Sequence, residues 1–127
     1  MHPEALNKKG KEIFSRLNQF KDFYLAGGTA LALQIGHRVS VDFDFFSKKP
    51  IEQNLLTKIK RVFFDKPFLP SVNNPDELTI FIGGVKVTFL YYPFPRIKAV
   101  VKYKNVNLLN LKEIAVTKAY TIGRRGS

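Results

Sequence analysis

An α+β domain with a small mixed β-sheet and helices mainly on one face is the fold class this sequence predicts. Two observations predict it. Strand-like and helix-like apolar patterns alternate through the first half of the chain, and two strand-like runs joined by Gly83-Gly84 follow in the second. Alternation followed by a hairpin gathers helices on one side of a partly antiparallel sheet.

The first helix is expected from Pro3 to about Lys21. Proline suits a first turn, and Leu6, Ile13, Phe14 and Leu17 make an apolar stripe opposite Lys8, Lys9, Lys11 and Glu12. Those lysines read as a solvated helix face, with an RNA or partner contact as the sharper alternative. Phe23 to Ala26 reads as a strand, Thr29 to Ile35 as a helix, and Val41 to Phe46 as a second strand. Ser47 stands where a helix N-cap could be and Pro50 where a first-turn proline fits. A helix from about Pro50 to Phe64 is therefore expected, with Leu55, Leu56, Ile59, Val62 and Phe63 inward.

Residues 65 to 77 carry three prolines and two asparagines and read as a loop. Leu78 to Ile82 and Val85 to Tyr91 flank the Gly-Gly pair as a hairpin, ended by Pro93 and Pro95. Short strands are expected near Ala99 to Lys102 and Asn107 to Leu109. Asn110 with Glu113 resembles a capping box opening a last helix.

The totals bound the function. The 127 residues, 45% hydrophobic with twelve Phe, suit one domain over 1–127 with a real core. With no cysteine, disulfides and thiolate metal sites are excluded. No signal-peptide core or bilayer-length apolar run occurs, so a cytoplasmic setting is expected. The net charge of +11 points to a polyanionic partner, either nucleic acid or an acidic protein. From Lys86 to Ser127 nine basic residues face the single acid Glu113.

The chemistry concentrates in FYLAGGTALALQIGHRVSVDFDFFS, residues 23–47. A strand feeding a Gly-Gly turn and a helix leaves backbone N–H groups directed outward at the helix N-terminus, a corner suited to phosphate. Gly28 and Thr29 are the candidate cradle, through their N–H groups and the Thr29 hydroxyl. Gly27 serves either the cradle or only the turn. Alternation along the next strand projects Asp42 and Asp44 to one face. Two adjacent carboxylates repel unless a cation lies between them, and oxygen ligands with substrate phosphate suit Mg²⁺. Arg38 could bind phosphate or pair with a carboxylate, and Ser40 could reach phosphate or cap the strand. His37 shapes the loop.

In order and spacing, Gly27-Gly28-Thr29, Gly36-His37-Arg38, Ser40 and Asp42-Phe43-Asp44 resemble the nucleotidyltransferase signature of the DNA polymerase β-like superfamily. Within it, the likeness is to abortive-infection toxins of the AbiEii/AbiGii type. The resemblance implies the polymerase β-like fold and a toxin of a toxin–antitoxin pair, with an antitoxin protein as partner. It implies Mg²⁺-dependent transfer of a nucleotide from an NTP to an RNA (tRNA-like) or protein acceptor, releasing pyrophosphate. Asp42 and Asp44 would be catalytic metal ligands. Gly27, Gly28, Thr29, Arg38 and Ser40 would bind nucleotide. Lys118, in Lys-Ala-Tyr-Thr-Ile-Gly-Arg, resembles the lysine held to neutralise the triphosphate.

The likeness departs in two places. Where the superfamily commonly carries a third carboxylate on a later strand, this sequence has Thr88, and Asp65, Asp76 and Glu77 fall in the expected loop. The AbiEii-type toxins take a later acid from a helix beyond an Arg-rich stretch resembling Gly123 to Gly126, and this sequence ends one residue further on. The expectation is therefore a C-terminally shortened nucleotidyltransferase domain. Its alternative is an impaired module that binds nucleotide, RNA or antitoxin without turnover. Haloacid-dehalogenase-type phosphatases and glycosyltransferases fit poorly, because neither accounts for the Gly-Gly-Thr turn.

Overall fold

The computed structural model describes residues 1–39, 42–92 and 100–109. They form a seven-stranded mixed sheet with three α-helices. In chain order these are α1 (Lys8–Leu17), β1 (Phe23–Ala26), α2 (Gly27–Ile35), β2 (Phe43–Ser47), α3 (Leu55–Val62), β3 (Phe68–Asn73), β4 (Glu77–Ile82), β5 (Val85–Tyr91), β6 (Val100–Tyr103) and β7 (Val106–Leu109). The strand order is β3-β4-β5-β2-β1-β7-β6. β2 runs antiparallel to β1 and parallel to β5, and β1 runs parallel to β7. The remaining pairings are antiparallel. The α+β class with a mixed sheet, expected from the alternation, is the class observed.

The core lies on the sheet face that carries Phe43, Phe45, Val87 and Phe89. Phe89 is fully buried at the centre of an aromatic cluster, with ring centroids 5.3 Å from Phe45, 4.8 Å from Phe23 and 5.8 Å from Phe20. Such offset and edge-on rings add directional attraction to the burial of apolar area. α1 packs on this face through Phe14, 6.0 Å from Phe43. α3 lies beside it: Lys58 Nζ donates to Gln19 O at 2.9 Å, and Arg16 Nη1 donates to Val62 O at 3.2 Å.

The local chemistry corrects several expected boundaries. The first helix does not start at Pro3, which opens a 3₁₀ turn ending at Ala5. α1 starts at Lys8 because Asn7 Oδ1 accepts from Gly10 N at 2.8 Å, a side-chain N-cap. Ser47 does not cap the third helix. It closes β2, and its hydroxyl accepts from Lys49 N at 3.1 Å. That helix begins at Leu55, since the preceding residues are tied instead to the β3–β4 turn by Ile51 N donating to Pro75 O at 2.8 Å.

The expected loop over 65–77 holds β3. Proline removes one ladder donor, which is tolerated only at an edge, and β3 is the edge strand, with a register shift between Pro70 and Val72. The hairpin around Gly83-Gly84 stands as expected, both glycines having positive φ, as a two-residue turn matching strand twist requires. β6 and β7 are joined in the same way through Lys104 and Asn105, at φ 49° and 65°. The capping-box helix from Asn110 lies outside the described residues. Among the described residues, no helix is long and apolar enough to cross a membrane.

Candidate active site

The site is set by how β1 ends. Its antiparallel register with β2 puts Ala26, the last residue of β1, opposite Asp44. The next residue, Gly27, has φ +65° and starts α2 at once. A Cβ on Gly27 would stand 2.8 Å from Asp44 Oδ2, so the Asp44 carboxylate lies directly on the glycine corner. Only glycine meets both demands, since positive φ disfavours a Cβ and the carboxylate fills its place.

The first turn of α2 has no side-chain N-cap and no acidic residue of its own. Its N–H groups carry the positive end of the helix dipole, which favours an anion. A second positive group arrives from the far end of the helix. After Gly36 the chain doubles back, and the Arg38 guanidinium lies over Gly28, where Nη2 occupies the space a Cβ would need. Arg38 Nε donates to His37 Nε2 at 3.2 Å, so His37 orients the arginine. Gly28 is therefore required for close approach.

Asp44 is half-buried, and Asp42 is exposed one residue ahead of β2. The strand expected from Val41 begins at Phe43, so Asp42 precedes the regular pleat rather than sharing it with Asp44. Thr29 is placed differently from the sequence reading of its side chain. It is buried at 1% exposure, and its hydroxyl donates to the carbonyl of Asp42. The hydroxyl thus ties the first turn of α2 to the approach into β2. A buried hydroxyl needs a partner, and this backbone oxygen supplies one.

The structure therefore brings Gly27, Gly28, Thr29, Arg38, Asp42 and Asp44 into one corner. Ser40 and Lys118 lie outside the described residues. The corner's donor set suits Mg²⁺, since its acidic donors are all carboxylate oxygens. Among the described residues no group of three His, Cys, Asp or Glu converges on one point.

On the other side of Asp44 the neighbouring strand contributes Thr88, the register partner of Asp44 in β5. Thr88 Oγ1 lies 3.2 Å from Thr79 Oγ1, and Thr79 donates at 2.6 Å to Glu77 Oε2. Glu77 opens β4 instead of lying in a loop, which corrects the sequence reading. Its two-residue spacing from Thr79, on one face of a strand, was the available signal.

Comparison with known proteins agrees with this architecture. The family model described as nucleotidyl transferase AbiEii toxin, of a type IV toxin–antitoxin system, matches residues 11–106. An uncharacterized protein of Aquifex aeolicus is 34% identical over 96% of this chain and 62% of its own length. Two Helicobacter pylori crystal structures share the fold. One is a provisionally assigned nucleotidyltransferase, with TM-score 0.64 and 21% identity over 85% of this chain and 53% of its own. The other, JHP933, has TM-score 0.63 and 18% identity over 89% of this chain and 57% of its own. The chain thus spans little more than half the length of the two structures and about three-fifths of the Aquifex protein.

Proposed function

The chain belongs to the AbiEii nucleotidyl transferase toxin family, and we propose from that premise that its glycine corner binds a Mg²⁺-loaded nucleoside triphosphate for nucleotidyl transfer. The observation that carries this reading is the Asp44 carboxylate resting on Gly27 while the Arg38 guanidinium rests on Gly28. A carboxylate for a cation and a cation for a phosphate stand side by side at one helix N-terminus.

In the proposed reaction an acceptor hydroxyl oxygen attacks the α-phosphorus of the NTP and gives up its proton to solvent. The bond from that phosphorus to the β-bridging oxygen breaks, and pyrophosphate leaves with the electron pair. Asp42 and Asp44 would hold the divalent ion, which when bound supplies charge stabilisation to the phosphoryl oxygens. The Gly28 and Thr29 N–H groups orient the phosphates from the α2 terminus, and Arg38 neutralises charge beside them. Thr29, by bonding the Asp42 carbonyl, holds the phosphate and carboxylate halves of the corner at a constant separation.

The acceptor is RNA, tRNA-like in character, and the excess of 21 basic over 10 acidic residues supports that choice. A protein acceptor is the alternative. The family also sets an antitoxin beside this toxin as its partner in the system. The second reading is a module that binds without turnover, and its supporting observation is a neutral threonine, Thr88, as register neighbour of Asp44.

Incubation of the protein with Mg²⁺ and each labelled NTP, with bulk tRNA or alone, tests the assignment. Label on tRNA supports RNA transfer, and label on the protein itself supports protein modification. NTP binding by calorimetry without label in either product favours the module. No Mg²⁺-dependent NTP binding at all overturns the nucleotide site.

A further inference from the structure

Thr88, the register partner of Asp44, and Thr79 and Glu77 beyond it are buried or half-buried and joined by hydrogen bonds, and the proposed mechanism does not use them. Thr79 and Thr88 are 3% and 2% exposed. A threonine hydroxyl has one proton and two lone pairs, so the proton directions along such a chain are determined. Glu77 Oε2 accepts from Thr79 at 2.6 Å, which consumes the only proton of Thr79. In the 3.2 Å contact between the two hydroxyls, Thr88 must then be the donor. That consumes the proton of Thr88 as well. What Thr88 Oγ1 has left to offer is lone pairs alone, on the strand position paired with Asp44.

A hydroxyl used only for packing has no need of a defined proton. Here a carboxylate two hydroxyls away sets the direction and leaves a neutral oxygen with accepting capacity on the residue paired with Asp44. Hydroxyls polarised in series become better acceptors than isolated ones. Hard divalent cations take oxygen ligands of this mixed character, charged and neutral together.

We infer that Thr88 supplies a neutral oxygen to the cation set of Asp42 and Asp44, with Thr79 and Glu77 as positioning residues that hold its lone pairs available. The inference rests on the Mg²⁺ site proposed above and adds to it a ligand that carries no charge. A neutral third oxygen leaves the ion with more residual charge for the phosphates than a third carboxylate would. The Glu77 carboxylate acts on the ion only through two hydroxyls.

The test is Mn²⁺ affinity of the full chain, read by electron paramagnetic resonance without nucleotide, so no turnover is needed. Thr88→Val keeps the shape and removes the oxygen, and about tenfold weaker binding is expected. Thr88→Ser restores the hydroxyl and should recover affinity. Thr79→Val leaves Thr88 without its acceptor and should also weaken binding about tenfold, the low end for lost outer partners of a metal ligand. Circular dichroism melts establish that each variant is folded. Should Thr88→Val not fold, Thr79→Val and Thr88→Ser still decide, because Thr79 touches no ion in either reading.

Folded Thr88→Val and Thr79→Val proteins with unchanged Mn²⁺ affinity overturn the inference while Asp44→Asn still abolishes binding. If Asp44→Asn also leaves affinity unchanged, the metal site itself is wrong, and this inference falls with it.

Discussion

The Asp44 carboxylate occupies the space that a side chain on Gly27 would need, with Oδ2 2.8 Å from the ideal Cβ position. One residue ends the strand and starts the helix, and the other is the acid that the helix terminus faces. Their contact joins a backbone feature to a chemical one, and variants at this corner separate the two.

Gly27→Ala should lower both stability and ligand affinity. The residue sits at φ +65°, where a Cβ costs about 1–2 kcal/mol. The added methyl also pushes Asp44 from its place. Urea unfolding should show a loss of at least that size, and calorimetry a weaker Mg²⁺-dependent NTP signal.

Gly28→Ala should divide the two effects. The atom in the way is Arg38 Nη2, the end of a long exposed side chain that can swing aside. Unfolding midpoints should shift by no more than about 1 kcal/mol, the cost of a helical glycine in reverse being of that size. NTP affinity should fall to the level of Arg38→Ala, and the deficit of both variants should shrink as salt is raised. A Gly28→Ala protein with full affinity would remove Arg38 from phosphate binding.

Thr29→Val tests a strut rather than a ligand. It keeps the buried shape and removes the donor to the Asp42 carbonyl. A carbonyl that loses its donor costs about 1–3 kcal/mol, and Thr29→Ser should recover most of it. NTP affinity should fall less than in Gly28→Ala, because the Thr29 N–H remains.

The Arg16–Asp65 pair makes a prediction about acid. Arg16 Nη1 donates to Asp65 Oδ1 at 2.5 Å and Nη2 to Oδ2 at 2.9 Å, joining α1 to the end of α3. Hydrogen bonding from Arg16 holds the Asp65 carboxyl down from its ordinary 3.8 to about 2. A depressed folded-state value means stability that is present above the ordinary value and lost as pH falls through about 2. Asp65→Asn should therefore be less stable than wild type at pH 6, with the gap closing between about pH 4 and pH 2. The pair is exposed, so the gap should be small and should narrow in high salt. Thermal midpoints across that range, at two ionic strengths, check the sign.

Elements specified by local chemistry were legible in the amino-acid order. The Gly83-Gly84 pair dictates a two-residue turn wherever it stands between alternating apolar runs, and β4 and β5 flank it as expected. Gly27-Gly28 after Phe23–Ala26 announced a strand-to-helix corner, since no other residue type enters α2 at positive φ so readily. The sequence also displayed Asp42 and Asp44 as a close acidic pair among apolar residues, and the fold puts Asp44 on the Gly27 corner.

What tertiary structure decided was every relationship that depends on register between distant strands or on which strand is outermost. β3 was hidden by Pro70, whose missing N–H is harmless only at a sheet edge, and edge position is not written locally. Thr29 looked like a phosphate hydroxyl until the fold gave it the Asp42 carbonyl thirteen residues away as a partner. Glu77, Thr79 and Thr88 came into one hydrogen-bonded row only when β4 paired with β5, and the pairing of β5 with β2 set Thr88 opposite Asp44. The physical reason is common to all three. Backbone preference acts over a few residues, while a hydrogen bond between strands takes its partner from whichever register buries the most apolar surface.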